Sequence, residues 1–215
     1  MAYGPGGAGV RPSRRSRAVT AATFMLAWVA LLWLLAAIDS GSGLIVKEYG
    51  IQPRDTDELL DVFPAAFLHF GWDHVAANTV PLLIFGFLAA LRGMVRFIGV
   101  ILLIVVTSGA GVWLTAPDGT NTAGASGVVF GLFGYLLVRG FVERDALDIT
   151  VGVTVLLLYG SILWGVVPTS SGVSWQGHLF GLVGGVLAAF WLRRTPAARA
   201  ASRQPSGGTG PSPWS

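Results

Sequence analysis

The sequence predicts an all-α membrane protein with six transmembrane helices. Of its 215 residues, 53% are hydrophobic and only 12% are charged, whereas about 25% of the residues in a soluble domain carry a charge. An uncharged run of about 17 to 25 residues is long enough to cross roughly 30 Å of hydrocarbon as a helix. Six such runs are present, at residues 18–38, 74–91, 97–115, 122–138, 149–167 and 173–192.

The first run follows several arginines, as the core of a secretory signal would. Its 21 residues exceed a typical signal core, however, and no small-x-small cleavage pattern follows it, so we interpret it as a span. The second run contains Pro81, and the fourth and sixth are rich in glycine. Membrane helices tolerate these residues where neighbouring helices supply packing partners. All six runs are therefore expected to be helical.

The segments outside the six runs differ in composition. Residues 1–17 and 193–215 are rich in Gly, Pro, Ser, Ala and Arg, a composition that predicts a disordered arm and a disordered tail. The domain is then expected at residues 18–192. The connection at residues 39–70 contains apolar residues among its charges, and we expect part of it to lie in the membrane interface.

The basic residues predict the orientation of the chain. Twelve of the 14 lie in the amino-terminal arm, in the connections after the second and fourth runs, and in the tail. Because basic residues near span ends are retained in the cytoplasm, both termini are expected there. This requires an even number of crossings and agrees with six. Thirteen of the 14 are arginine, a bias that suggests GC-rich coding and a bacterial cell membrane.

Composition also excludes several classes of function. The chain has no cysteine, which excludes disulfides, a thiolate nucleophile and any cysteine-ligated metal site. Its arginines lie between long apolar runs and form no continuous basic face, so nucleic acid is not an expected partner. No cofactor or metal is expected.

Polar side chains inside apolar spans are costly, so each one marks a candidate functional site. His74 and Asn78 lie in the second run, Ser126 in the fourth and His178 in the sixth. At 1.5 Å per residue, Asn78, Ser126 and His178 fall roughly 6 to 8 Å below the predicted external face. Glycines beside Ser126 and His178 form smooth helix faces that allow close approach. They are Gly127, Gly131 and Gly134 in the fourth run and Gly177, Gly181 and Gly185 in the sixth.

Together these residues resemble the rhomboid family of intramembrane serine proteases, and the fold is expected to be a rhomboid-like bundle. The matching motifs stand in the family's order on the second, fourth and sixth spans. They are His-Phe-Gly-Trp-Asp-His at residues 69–74 with Asn78, Gly-Ala-Ser-Gly at residues 124–127, and Gly-His-Leu-Phe-Gly at residues 177–181 with Gly185.

The resemblance implies a role for each matching residue. Ser126 would be the nucleophile and His178 the general base, because a serine hydroxyl needs a neighbouring base to accept its proton. His74, Asn78 and the backbone N–H of Ser126 would donate hydrogen bonds to the oxyanion. Gly124, Gly127, Phe130, Gly181 and Gly185 would pack the helices around the site. No carboxylate lies within the spans, so a Ser-His dyad is expected, acting on transmembrane proteins in the lipid bilayer.

The chain departs from the family pattern at two places. Phe130 stands where many rhomboids have a tyrosine that packs on the catalytic histidine, so the stacking surface remains without its hydroxyl. Leu60 and Asp61 stand where the family has a Trp-Arg pair in the first external loop. His69 is expected to be a structural loop residue.

Two other functions are compatible with parts of the sequence. The first is a catalytically inactive rhomboid-like protein that binds membrane clients, although such relatives usually lack the serine or the histidine. The second is a small transporter or metal permease that uses the three histidines. Transporters typically have internal repeats and carboxylates along the ion pathway. The sequence shows no internal repeat, and its spans contain no carboxylate. Proteolysis is therefore the favoured prediction.

Overall fold

The computed structural model describes residues 13–168 and 172–195, and within them the chain is a helical bundle. The only β pairing in these residues is one isolated bridge between Ile51 and Thr122. The seven α-helices of these described residues are α1 Arg14–Asp39, α2 Leu44–Glu48, α3 Trp72–Ala90, α4 Met94–Thr115, α5 Ser126–Glu143, α6 Ala146–Tyr159 and α7 Trp175–Trp191. Short 3₁₀ helices cover Leu59–Val62, Pro64–Phe67 and Gly160–Val166.

Six of the helices are long, and they confirm the predicted fold class. Helices α1, α3, α4 and α5, and α6 together with the 3₁₀ helix that continues it, are long and apolar enough to cross a membrane. Helix α7 has 17 residues of similar apolar character. The chain is therefore a multi-pass membrane protein.

The described ends of the chain are more ordered than expected. Helix α1 begins at Arg14, inside the arm for which we predicted disorder, and the Ser13 side chain caps it by accepting the N–H of Ser16 at 3.1 Å. After α7, Arg194 forms an ion pair with Glu143 at 2.8 Å. Charged and capping contacts thus order residues that composition alone assigns to the tails. The disorder predicted for residues 1–12 and 196–215 lies outside the described residues.

Helix α5 is the central element of the bundle. It is the most buried of the long helices and packs against α3, α4, α6 and α7. Its inner residues Leu132, Phe133 and Leu136 are fully buried, and the ring of Phe133 lies 5.9 Å from that of Phe85 on α3. Since α5 carries Ser126 at its first residue, the packed core of the bundle holds that end of the helix in place.

Helix α5 begins four residues later than the predicted fourth span, which started at residue 122. Residues before Ser126 are drawn away from the helix by partners distant in sequence. Thr122 and Ile51 exchange backbone hydrogen bonds of 2.8 and 3.1 Å, and Gly124 donates its N–H to the carbonyl of Ala65 at 2.9 Å. The φ of Gly124 is +143°, a conformation that side-chain-bearing residues rarely adopt. Ser126, the candidate nucleophile, is thus the first residue of α5.

The connection between α1 and α3 is anchored on the end of α4, without the Trp-Arg pair of the family pattern. The indole N–H of Trp113 donates to the carbonyl of Asp55 at 2.8 Å, and Arg54 donates to the carbonyl of Ala116 at 2.8 Å. Val62 packs on the bare backbone of Gly109. The connection therefore lies against protein over much of its length, while Leu60 in it is exposed.

Candidate active site

Ser126 lies on the wall of a cavity of about 230 Å³ at one end of the bundle. The cavity opens where α3, α5 and α7 begin and α4 ends. Its wall includes His74, Ser108, Gly124, Ser126, Gly127 and Gly177. A small, partly polar cavity beside a serine at a helix start is a suitable place for a peptide carbonyl.

The start of α5 offers unpaired backbone donors next to the serine hydroxyl. The N–H of Val129 makes a hydrogen bond of 3.0 Å to the carbonyl of Ala125. The N–H groups of Ser126, Gly127 and Val128 come earlier in the helix. The residues one turn before them are not helical, so no carbonyl of α5 accepts these N–H groups. The positive end of the helix dipole is also located there, so negative charge that develops beside Ser126 is stabilised.

His178 lies on α7 and its ring stacks on Phe130 of α5. The ring centroids are 4.0 Å apart and the planes are inclined by 7°. Phe130 is four residues after Ser126, so it lies on the same side of α5 one turn along. Both rings are buried. The stacking therefore places the imidazole beside the first turn of α5 and fixes the plane of its ring.

The hydrogen bond of His178 determines which ring nitrogen can act as a base. Its Nδ1 lies 2.8 Å from the carbonyl oxygen of Gly165. A carbonyl oxygen only accepts hydrogen bonds, so Nδ1 carries the proton of the neutral ring and Nε2 keeps its lone pair. Gly165 can come this close because it has no side chain: a Cβ there would lie 3.0 Å from Nδ1 and 2.6 Å from Phe130 Cζ.

Glycines allow α5 and α7 to touch through their backbones. A Cβ on Gly181 would lie 2.9 Å from the carbonyl carbon of Gly127, and one on Gly185 would lie 2.6 Å from that of Gly131. Both distances are below carbon–carbon contact. The close approach of the two helices thus depends on bare backbone within a few residues of Ser126 and His178.

His74 borders the same point of the cavity as the serine hydroxyl. A Cβ on Gly124 would lie 2.8 Å from His74 Nε2 and 3.6 Å from Ser126 Oγ. The absence of a side chain at Gly124 therefore leaves a small space with an imidazole nitrogen on one side and the hydroxyl on the other. A ring N–H placed in this way can donate to an oxygen bound beside Ser126.

Asn78, like Phe130 and His178, is not on the cavity wall. It is buried one turn after His74, and its Nδ2 donates to the His74 carbonyl at 3.0 Å. The amide still has a second N–H, because a carboxamide carries two donor hydrogens. The structure thus brings Ser126 and His74 together on the cavity wall, stacks His178 on Phe130 outside that wall, and holds Asn78 behind His74. Among the described residues, no hydrogen bond joins Ser126 to His178.

His69 has a structural role that the spacing of the motifs does not specify. Its Nε2 accepts the N–H of Ala125 at 3.3 Å, and its ring lies 4.9 Å from that of His74. Burial and the neighbouring His74 lower the pKa of His69 to about 4. His69 is therefore neutral at pH 7 and holds the residue that precedes Ser126.

Ser108 on α4 was not singled out by the sequence. Its hydroxyl donates to the carbonyl of Gly177 at 2.8 Å, immediately before His178. It is a polar residue inside the third apolar run, and that is the signal by which it could have been found. In the part of the chain that the structure describes, no three His, Asp or Glu side chains form a group able to hold a metal ion.

Comparisons with known proteins cover the whole of this site. A family model described as Rhomboid domain matches residues 56–195. The uncharacterized protein Rv1337 of Mycobacterium tuberculosis is 44% identical over 188 residues, 84% of this chain and 78% of the relative. The putative rhomboid protease YdcA of Bacillus subtilis is 28% identical over 174 residues, 78% of this chain and 86% of its own. The rhomboid protease GlpG of Yersinia enterocolitica is 29% identical over 182 residues, which are 80% of this chain and 62% of GlpG.

Proposed function

We propose that this chain, which belongs to the rhomboid family, is an intramembrane serine endopeptidase that cleaves peptide bonds in or near transmembrane segments of other membrane proteins. Ser126 is its nucleophile and His178 its general base. The observation that carries the proposal is the stacked pair of Phe130 and His178. This pair supports the proposal because Phe130 is one turn along α5 from Ser126 and the imidazole stacked on it is buried, and proton transfer needs a base near the hydroxyl.

The proposed reaction passes through an acyl-enzyme. Ser126 Oγ attacks the carbonyl carbon of the substrate while its proton moves to Nε2 of His178. The tetrahedral intermediate collapses, the C–N bond breaks, and His178 returns the proton to the leaving amine. Water then attacks the ester, with His178 again accepting a proton, and Ser126 leaves with that proton. The Nδ1 hydrogen bond to Gly165 supports this role, because it keeps a proton on Nδ1 while Nε2 gains and loses one.

The oxyanion is held by donors on two helices. The N–H of Ser126 lies at the positive end of α5, and His74 borders the same space beside Gly124. Both are positioned before the charge forms, which is the condition under which such donors accelerate acyl transfer most. Asn78 contributes less directly, because one of its N–H bonds is used on the His74 carbonyl.

The site is reached from the end of the membrane that we propose to be external. In that orientation both termini are cytoplasmic, as the distribution of basic residues predicts. The family resemblance implies substrates with small residues at the cleaved bond and a helix that unwinds there. A cavity at the helix ends gives water a short path to the acyl-enzyme.

The test is cleavage of a single-span reporter protein by the full chain in proteoliposomes. Ser126→Ala and His178→Ala should each abolish cleavage and leave the thermal unfolding midpoint near that of the unmodified chain. Ser161→Ala is the matched control, because it removes an exposed hydroxyl away from the cavity. Cleavage that persists in Ser126→Ala would refute the proposal. An unmodified chain that captures the reporter and never cleaves it would favour the client-binding alternative.

A further inference from the structure

A second cavity, of about 590 Å³, lies at the opposite end of the bundle from Ser126. It opens where α1 begins and α3 ends, beside the start of α6 and the residues after α7. Its wall has two parts, a basic one and an apolar one. The basic part is formed by Arg14, Arg17, Arg92, Arg139 and Arg194, and the apolar part by Leu88, Leu91, Leu147 and Val151.

The charges on the cavity wall do not balance. Asp148 is the one carboxylate on the wall, against five guanidinium groups. Its Oδ1 lies 2.5 Å from Arg92 Nη2 and 2.8 Å from Arg139 Nη2. Arg194 pairs with Glu143, which also pairs with Arg96 at 2.7 Å. Among the described residues, Asp145 forms an ion pair with Arg92 alone, at 3.6 Å, whereas Asp148 and Glu143 are each shared by at least two arginines. Because Arg14 and Arg17 add two more guanidinium groups, a net positive charge remains on the wall.

Arg139 has a donor that lacks an acceptor. Its side chain is 4% exposed, and its two Nη atoms donate to Asp148 and to the carbonyl of Leu88. Its Nε has no hydrogen-bond partner among the described residues. A buried guanidinium N–H without an acceptor is costly. Because Arg139 is on the cavity wall, an anion bound there is a source of oxygen acceptors for this side chain.

Arg14 and Arg17 lie at the amino-terminal end of α1, where the helix dipole disfavours positive charge. They lie in the first turn of α1, which contains no acidic residue. Cations at the positive end of a helix dipole are destabilising by a few tenths of a kcal/mol to about 1 kcal/mol each. Neither has a carboxylate partner within residues 13–168 and 172–195. An excess of arginine at this end orients a membrane protein, but orientation does not require five of them on one cavity.

We propose that this cavity binds a phosphate group, the chemistry shared by acidic phospholipid headgroups and soluble phosphates. Guanidinium groups match phosphate oxygens in geometry and charge. The apolar wall beside the arginines favours the lipid source, because Leu91, Leu147 and Val151 offer a surface for acyl chains. The anionic lipids of a cytoplasmic leaflet are attracted to basic residues in this way. The proposal concerns binding only and does not depend on proteolysis.

The experiment measures lipid binding by the full chain in a neutral detergent, with Ser126→Ala in the background to exclude cleavage. The probes are fluorescent phosphatidylglycerol and fluorescent phosphatidylcholine, with inorganic phosphate at millimolar concentration as a competitor. The test variant is Arg14→Gln with Arg17→Gln, two exposed positions. Arg15→Gln is the matched control, because this exposed arginine of α1 is not on the cavity wall.

Phosphatidylglycerol should bind more tightly than phosphatidylcholine, and added salt should weaken its binding. The double variant should bind it about 10-fold to 30-fold more weakly, at about 1 kcal/mol for each arginine, while Arg15→Gln should bind it as the parent does. Displacement by inorganic phosphate would support the phosphate site and assign it a soluble source. Equal affinity for the two lipids, or a double variant that binds as tightly as Arg15→Gln, would overturn the proposal.

Discussion

The contact between α5 and α7 predicts that one methyl group at Gly181 will impair the site. A Cβ there would lie 2.9 Å from the carbonyl carbon of Gly127 and closer to its oxygen. Carbon atoms in contact are normally at least 3.5 Å apart, so Gly181→Ala requires the helices to separate by about 0.6 Å at that carbon. The oxygen raises the required separation to about 1 Å. Backbone cannot rotate away as a side chain could.

A displacement of this size acts on the proposed dyad because Gly127 follows Ser126 directly and Gly181 is three residues from His178. Misplacement of reacting groups by 1 Å can cost about 10²-fold in rate, so kcat should fall by about that factor. Overpacking costs about 1 to 3 kcal/mol, which for a chain of this size lowers the unfolding midpoint by several degrees. Gly185→Ala should be more severe, since its Cβ would lie 2.6 Å from a carbonyl carbon.

The assay is reporter cleavage in proteoliposomes, with the thermal midpoint of each variant measured in parallel. Gly99→Ala is the matched control, because its Cβ would meet only the flexible end of Leu192 at 3.3 Å. That variant should retain the parental rate and midpoint. The reasoning would be refuted if Gly181→Ala cleaved the reporter within about twofold of Gly99→Ala and unfolded at the same temperature.

Three further predictions follow from the site. Phe130→Leu removes the flat surface on which His178 stacks and should lower kcat more than it changes KM, whereas Phe130→Tyr keeps that surface and should remain active. Equal cleavage kinetics for the Leu and Tyr variants would contradict this prediction. His69 has a pKa near 4 against an ordinary 6.5. Because the folded protein binds this proton more weakly than the unfolded chain does, the free energy of unfolding should fall by about 3 kcal/mol as the pH falls from above 6.5 to about 4. His69→Gln should flatten thermal midpoints measured from pH 8 to pH 4, and an unchanged slope would count against the assignment. Ser108→Ala removes one hydrogen bond and should cost about 1 kcal/mol, seen as a midpoint lower by a few degrees; no change would show that the bond contributes nothing.

The sequence was sufficient for the fold because helix length and apolar character are local properties. A membrane helix needs about 20 apolar residues whatever its neighbours are, and the six runs mark the six long helices. The glycine spacing on the fourth and sixth runs likewise indicated a close helix pair. Gly181 and Gly185 do lie against the backbone of α5.

The parts of the site that the sequence did not specify depend on contacts between residues distant in the chain. The start of α5 at Ser126 depends on the pairing of Thr122 with Ile51, which no local pattern encodes. The acceptor for His178 is the backbone carbonyl of Gly165, and any residue type supplies a carbonyl. The arginine cavity combines the ends of five separate helices, so the sequence showed only its charges.

The central claim is that His178 activates Ser126, and reaction with a serine-directed fluorophosphonate tests it most directly. The reagent is applied to the purified full chain, and the labelled residue is identified by peptide mass mapping. The account predicts a label on Ser126 in the unmodified chain and in Ser161→Ala. It predicts no label in His178→Ala, provided that this variant keeps the thermal unfolding midpoint of the unmodified chain. A label on another serine, or equal labelling of Ser126 when His178 is replaced, would contradict it.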